Sequence, residues 1–462
     1  MSTGSDQDSG DLHRDDAYEL DRKAVAAILY AVDVQDKDQL TQLMEPLHAA
    51  DIADLLEQIN AHDRALLIQL YGREFDGEIL TELEESVREE VLPILNPQVL
   101  AEAVRDLETD DVVDLVEDLE EPQQEAILEV LEDVDRVAVE QSLSYPENSA
   151  GRLMQREVVM APEHWNVGKT IDFLRETDDL PEQFYHVVLI DPRMKPIGNV
   201  TLGKLMGARR EVPLVDLQEE VFQIIPADQD EEDVAYAFNQ YHLISAPVVD
   251  ADDRLVGVIT IDDAMVVLDE EHEEDILRLA GVGESALSDS VGETSKKRLP
   301  WLGVNLFTAI CASLVISQFE ATISELVSLA ILMPIVASMG GNAGTQSLTV
   351  AVRALATKDL TGSNVWRVIR RELMVGLLNG LCFATVLGVV GMLWFESAML
   401  GAVIGTALVF NMIIAGFAGT VVPVTLDKMG IDPALASGTF VTTTTDVMGF
   451  FIFLGLASKV LL

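Results

Sequence analysis

The strongest constraint on this chain is its last third, where five apolar runs follow one another. They cover residues 299–319, 326–352, 373–395, 397–426 and 433–458, and only the last contains a charge. About 20 apolar residues in a helix cross the hydrocarbon core of a bilayer. Lipid offers a backbone no hydrogen bonds, so such runs are expected as helices. The basic residues of the short connections set the direction of threading. Lys296, Lys297 and Arg298 precede the first run, and Arg353, Lys358, Arg367, Arg370 and Arg371 separate the second from the third. Glu320, Glu325 and Glu396 occupy the alternate connections. This pattern predicts a multi-pass protein of the plasma membrane, with the N-terminal part in the cytoplasm and the C-terminus outside.

The charge in the fifth run is Asp446, within TTTTDVMGFF. A carboxylate at the bilayer centre costs about 2.5–3.5 kcal/mol on insertion scales, so something must offset it. Thr439, Thr442, Thr443 and Asp446 recur at i, i+3, i+4 and i+7 and share one helix face. The second run contains MPIVASMGGNAGTQS. There Pro334 removes a backbone donor, while Gly340, Gly341 and Gly344 allow close approach. The amides of Asn342 and Gln346 would be wasted against lipid, and such features are tolerated only against protein or a wet cavity. A simple anchor needs none of them. Together they predict a polar pathway.

The net charge of −49 is unevenly distributed. Residues 296–462 hold 10 basic and 8 acidic side chains, which leaves 20 of the 30 basic and 71 of the 79 acidic residues in 1–295. Phosphate binding needs clustered Lys and Arg, so nucleic acid is excluded as a partner. Most of the acidic surplus reads as a solvated, halophile-like surface. Cys311 and Cys382 lie in apolar runs and give neither a zinc pattern nor a disulfide framework. None of the seven histidines lies in the apolar part, which excludes a histidine-based intramembrane metalloenzyme and disfavours zinc, copper or nickel as cargo. The opening residues 1–20 read as a disordered acidic tail rather than a signal peptide.

Two internal repeats organise the rest. In residues 21–150, DIADLLEQI at 51–59 returns as DVVDLVEDL at 111–119, each followed by a second amphipathic helix. Stacked helix pairs of this kind predict an all-α superhelical domain. In residues 151–268, VVLIDPRMKPIGNVTLGKL at 187–205 returns at an offset of 59, with Asp191, Gly198 and Thr201 matching Asp250, Gly257 and Thr260. Each copy is a strand, an Asp-containing turn, a second strand and a helix start. Two such α/β copies resemble a tandem pair of CBS domains, which often bind adenine nucleotides. NVGKT at 166–170 is no P-loop, because Glu163 stands where the upstream glycine is required.

Residues 269–298 then connect to the membrane. Six of the seven residues from Asp269 to Asp275 are acidic. Like charges at i, i+4 repel on a helix. Divalent cations would cancel that repulsion, which makes Asp269, Glu271, Glu274 and Asp275 candidates for a metal-dependent switch.

This order of parts resembles the MgtE family of magnesium channels. The resemblance is carried by PIVASMGGNAGTQS in the second run, DPALASGTFVTTTTDVMGF in the fifth and HAADIADLLEQI near the start. It implies a multidomain membrane protein: a superhelical N domain, a CBS pair, an acidic connecting helix and a five-span helical domain at 299–462. It further implies a homodimer with a central pore lined by the second and fifth spans, Asp446 as the ion-selecting carboxylate, and Mg2+ as both cargo and regulator. By motif, Asp263 in TIDD and Glu274–Asp275 in EED match the family's gating ligands. The function so implied is a Mg2+-selective influx channel closed by cytosolic Mg2+, not an enzyme. An exchanger of Mg2+ against Na+ or H+, or a broader transporter that also passes Co2+ or Mn2+, is the alternative.

Overall fold

The computed structural model describes residues 20–282 and 291–462, except 21, 106, 118, 120, 178, 179 and 182. The acidic tail therefore lies outside the described residues apart from Leu20, as do residues 283–290 of the connection to the membrane part. The chain divides into two compact units, one ending at Val267 and the other beginning at Leu268.

Helices α1–α11 lie between Arg22 and Leu153. The sequence repeat corresponds to α3 (Ala49–Gln58) with α4 (Ala61–Tyr71), and again to α8 (Thr109–Glu117) with α9 (Glu121–Leu128). Ile52, Leu55 and Leu56 of the first copy are buried, and so are Val112, Leu115 and Val116 of the second, each 60 residues on. Even the helix ends are closed equivalently. Arg64 donates to the carbonyls of Leu56 and Ile59, and Gln124 donates to those of Val116 and Leu119. These bonds satisfy C-terminal carbonyls that an α-helix leaves without a partner.

The next part contains two three-stranded sheets, β1 (Met160–Pro162), β2 (His186–Ile190) and β3 (Pro196–Thr201), then β4 (Ile225–Pro226), β5 (Ser245–Val249) and β6 (Leu255–Thr260). In each, the first pair is parallel and the second antiparallel. The registers agree: His186 faces Thr201 and Ser245 faces Thr260. The hairpins agree too. Asp191 Oδ1 accepts from the backbone of Arg193 (2.7 Å) and Lys195 (2.9 Å), and Asp250 Oδ1 from that of Asp252 (2.9 Å) and Arg254 (2.8 Å). Such Asx turns explain why an aspartate recurs at this position. The equivalent residues His186 and Ser245 touch, Nδ1 to Oγ at 2.6 Å, as expected around a pseudo-two-fold axis.

After α12 (Val167–Glu176), α13 (Leu202–Gly207) and α14 (Glu231–Tyr241) between the strands, α15 (Ile261–Leu279) carries the acidic run. The second unit then contains α16 (Val291–Ser317), a short α17 (Glu320–Glu325), α18 (Ser328–Ala356), α19 (Val365–Phe395), α20 (Ala398–Lys428) and α21 (Pro433–Val460). Among the described residues, four helices are long and apolar enough to cross a membrane: those within α16, α19, α20 and α21. The fifth expected span, α18, has the length, at 29 residues, but its polar GGNAGTQS stretch dilutes the apolar character. It runs unbroken through Pro334. At the centre of the bundle α20 packs against α18, α19 and α21. Glycine makes this possible: a Cβ on Gly376 of α19 would stand 2.5 Å from the Met412 carbonyl of α20. Small residues give van der Waals contact where lipid supplies no hydrophobic drive.

Candidate functional site

Helix α21 begins where Asp432 accepts from the Ala434 N–H at 2.7 Å, with Pro433 at the first helical position. An Asp cap followed by proline is a strong helix start. Along this helix the threonine hydroxyls bond backward. Thr442 donates to the Gly438 carbonyl (2.9 Å), Thr443 to Thr439 (2.6 Å), Thr444 to Phe440 (2.8 Å) and Thr445 to Thr442 (2.9 Å). Thr439 instead donates to Asn305 Oδ1 of α16 at 3.0 Å. With its hydrogen committed, each hydroxyl keeps lone pairs to offer, so this surface accepts hydrogen bonds. Asp446 is half-buried one turn beyond Thr442 and Thr443, Thr442 is exposed, and Thr445 is fully buried.

On α18 the predicted residues divide between two faces. Gly340 and Gly344 are buried, with Gly344 facing Val441 of α21. Pro334, Ser338, Asn342, Thr345, Gln346 and Thr349 are exposed, and their spacing of three and four puts them on one face. Gly341 has open space beside it. The sequence reasoning did not single out Glu372 or Asn411. Glu372 of α19 is buried and accepts from Ser347 Oγ of α18 at 2.9 Å. Asn411 of α20 is buried and donates to the Val336 carbonyl at 2.9 Å. A lone Glu beside three arginines, and an Asn inside an uncharged run, were the available signals.

A second cluster lies in the N-terminal unit. Asp263 accepts from Thr260 Oγ1 at 2.6 Å, and burial pushes its carboxyl up to about 6. Burial, reinforced by Glu157, Asp111 and Asp263, lifts Glu108 to about 7. Burial and then Asp263 lift Asp111 to about 7, and the same two causes hold Asp110 well above the usual carboxylate range. These are carboxylates facing one another with too little water. Glu108, Asp110 and Asp111 were read only as part of a solvated helical repeat. Asp110 had a signal, since the first repeat carries Ala50 at the matching place.

On α15, Asp269 is exposed and Glu271, Glu274 and Asp275 are half-buried. Glu274 pairs with Arg278, which also reaches Asp432 at the start of α21 at 2.7 Å. Burial and then the Asp432 charge raise the Asp275 carboxyl. The acidic run thus meets a resident cation, which the charge count did not anticipate. Among the described residues, no three His, Cys, Asp or Glu side chains converge on one possible metal position. Mg2+ usually retains several waters and takes only one or two carboxylates of its site.

Residues 333–456 match a family model described as a divalent cation transporter, MgtE. Residues 47–148 match the MgtE intracellular N domain, and residues 216–270 a CBS domain. The magnesium transporter MgtE of Enterococcus faecalis is 35% identical over 320 residues, 69% of this chain and 71% of that protein. The chain belongs to the MgtE family. The magnesium transporter MgtE of Thermus thermophilus is 32% identical over 448 residues, 96% of this chain and 99% of that protein. The structure of the cytosolic domain of the Mg2+ channel MgtE in complex with ATP is 27% identical and covers 53% of this chain and 99% of its own, with a TM-score of 0.49. In this MgtE protein, the transporter model spans both Pro334 and Asp446, the N-domain model spans Glu108 to Asp111, and the CBS model spans Asp263.

Proposed function

We propose that this MgtE protein is a Mg2+-selective channel that works as a homodimer, lets Mg2+ into the cell and closes when cytosolic Mg2+ rises. The observation that carries the reading is the pair of exposed polar faces on membrane-length helices. Ser338, Asn342, Thr345, Gln346 and Thr349 are exposed on α18, and Thr442 on α21 beside the half-buried Asp446. Facing lipid, such groups would be expensive; facing a second copy across a wet axis, they line a pathway.

The chemistry follows from the cargo. Hydrated Mg2+ gives up water reluctantly and holds its ligands octahedrally. Its waters are hydrogen-bond donors, so the pathway must offer acceptors. Back-bonded threonines and the Asp446 carboxylate do so. Two copies of Asp446 near one axis would repel unless a cation lay between them, which favours a divalent over a monovalent ion.

Closure is a linkage effect: Mg2+ favours the closed state only by binding it more tightly. The mutually repelling Glu108, Asp110, Asp111 and Asp263 supply such a preference if Mg2+ draws them together. Asp269, Glu271, Glu274 and Asp275 of α15 are proposed as a second, separate regulatory set. An adenine nucleotide at the CBS pair belongs to the same proposal, on resemblance alone. The C-terminus lies outside the cell in this reading.

Coupled exchange has one observation in its favour. Glu372 of α19 is a buried carboxylate that accepts from the Ser347 hydroxyl and stands 3.9 Å from the Arg371 guanidinium, and exchange would use it as a proton or Na+ site. Mg2+ uptake by liposomes with and without Na+ and H+ gradients separates the readings. Uptake independent of both gradients, and suppressed by Mg2+ on the cytoplasmic face, is expected. Strict dependence on either gradient would overturn the channel reading.

A further inference from the structure

Glycines on two different helices meet one side chain of a third. Asn411, midway along α20, is fully buried, and its Nδ2 donates to the Val336 carbonyl of α18. A Cβ on Gly340 of α18 would collide with that nitrogen, and one on Gly449 of α21 would stand 2.8 Å from it. The Asn411 oxygen Oδ1 is buried and has no hydrogen-bond partner among the described residues. Stranding a buried acceptor costs at least as much as one neutral hydrogen bond returns. As a stabiliser, therefore, Asn411 does no better than a leucine of similar size, and its polarity calls for another explanation.

The neighbours supply one. Gly340 lies two residues before Asn342 in the exposed polar face of α18. Gly449 lies three residues, close to one turn, beyond Asp446. We propose that Asn411 is a positioning residue of the ion pathway, a joint hydrogen-bonded to α18 and packed against Gly449, which holds the Asp446 turn of α21 in register with the polar face of α18 and thereby sets selectivity for a hydrated divalent cation. This rests on the reading of Asp446 as the selecting carboxylate. An octahedral shell of waters needs acceptors at fixed places. A slip of α21 along α18 moves the carboxylate away from the amides and hydroxyls that share the shell.

The test compares wild type, Asn411→Leu, Asn411→Ala and Asp446→Asn as full-length protein in liposomes. Leu fills the space without a donor, and Ala leaves room, so that one of the two folds even if the other is strained. The expected result is a Mg2+-over-Na+ flux ratio reduced about fivefold or more, equivalent to about 1 kcal/mol. The melting temperature in detergent stays unchanged or rises for Asn411→Leu. A wild-type ratio in both Asn411 variants, with Asp446→Asn unselective, would overturn this inference alone. A wild-type ratio in Asp446→Asn would overturn the reading beneath it. Flux lost only in proportion to folded protein, with the ratio intact, would reduce Asn411 to a packing residue and also overturn the inference.

Discussion

Replacing Asp263 by Asn should make the metal-free protein more stable. Burial lifts this carboxyl from an ordinary 3.8 to about 6. A shift of about two units at 1.36 kcal/mol each corresponds to about 3 kcal/mol working against the native state above pH 7. Asn keeps an acceptor for Thr260 Oγ1 and removes the charge felt by Glu108, Asp110 and Asp111. An uncharged amide still has to be buried, so the net gain should be about 1–3 kcal/mol. For a unit of this size that is about 2–4 °C in melting temperature per kcal/mol. The sign with pH follows from proton counts. Between about pH 4 and pH 7 the native cluster holds protons that the unfolded chain has released, so stability falls as pH rises through that window. The assay is thermal unfolding of the full chain in detergent at pH 8, with a chelator or with Mg2+. At a hundredfold excess over its dissociation constant, Mg2+ should stabilise wild type by about 2.7 kcal/mol. The variant should gain less than half of that. A variant less stable than wild type in chelator, or one that retains the whole Mg2+ gain, would refute the reasoning.

Arg278→Gln removes the cation shared by Glu274 and Asp432. Half-closure should then need severalfold more cytosolic Mg2+, and an unchanged closure curve in a flux assay would remove this bridge from gating. Gly376→Val forces a side chain into the Met412 carbonyl and should cost about 1–3 kcal/mol through overpacking, read as a lower melting temperature in detergent. Arg64→Ala strands the carbonyls of Leu56 and Ile59, each worth about 1–3 kcal/mol when buried without a partner. Its effect should appear in thermal unfolding and leave the Mg2+-over-Na+ flux ratio unchanged.

How much of this was legible depended on the kind of physics involved. Periodic features were readable. The offset of 59 in the CBS part returns as identical strand registers and identical aspartate turns, because local hydrogen bonding repeats when the residues do. The offset of 60 returns in the buried faces of α3 and α8. Long-range features were hidden. Glu108, Asp110 and Asp111 sit in an unremarkable acidic helix repeat, and only folding brings Asp263 to them. Arg278 looked like a lone base after an acidic run until it met Asp432, 154 residues away. Asn411 and Glu372 lacked a motif because their partners, Val336 and Ser347, lie on other helices. The polar face of α18 was half-readable: its amides and glycines were visible, but not which side of the helix remained open.

The most direct test of the account is ion selectivity at Asp446. Full-length wild type and Asp446→Asn, reconstituted in liposomes, are compared for Mg2+ and Na+ flux at low cytoplasmic-side Mg2+. The account predicts that wild type passes Mg2+ and excludes Na+, while the Asn variant loses that preference but still folds. Equal Mg2+ selectivity in the two proteins would contradict it.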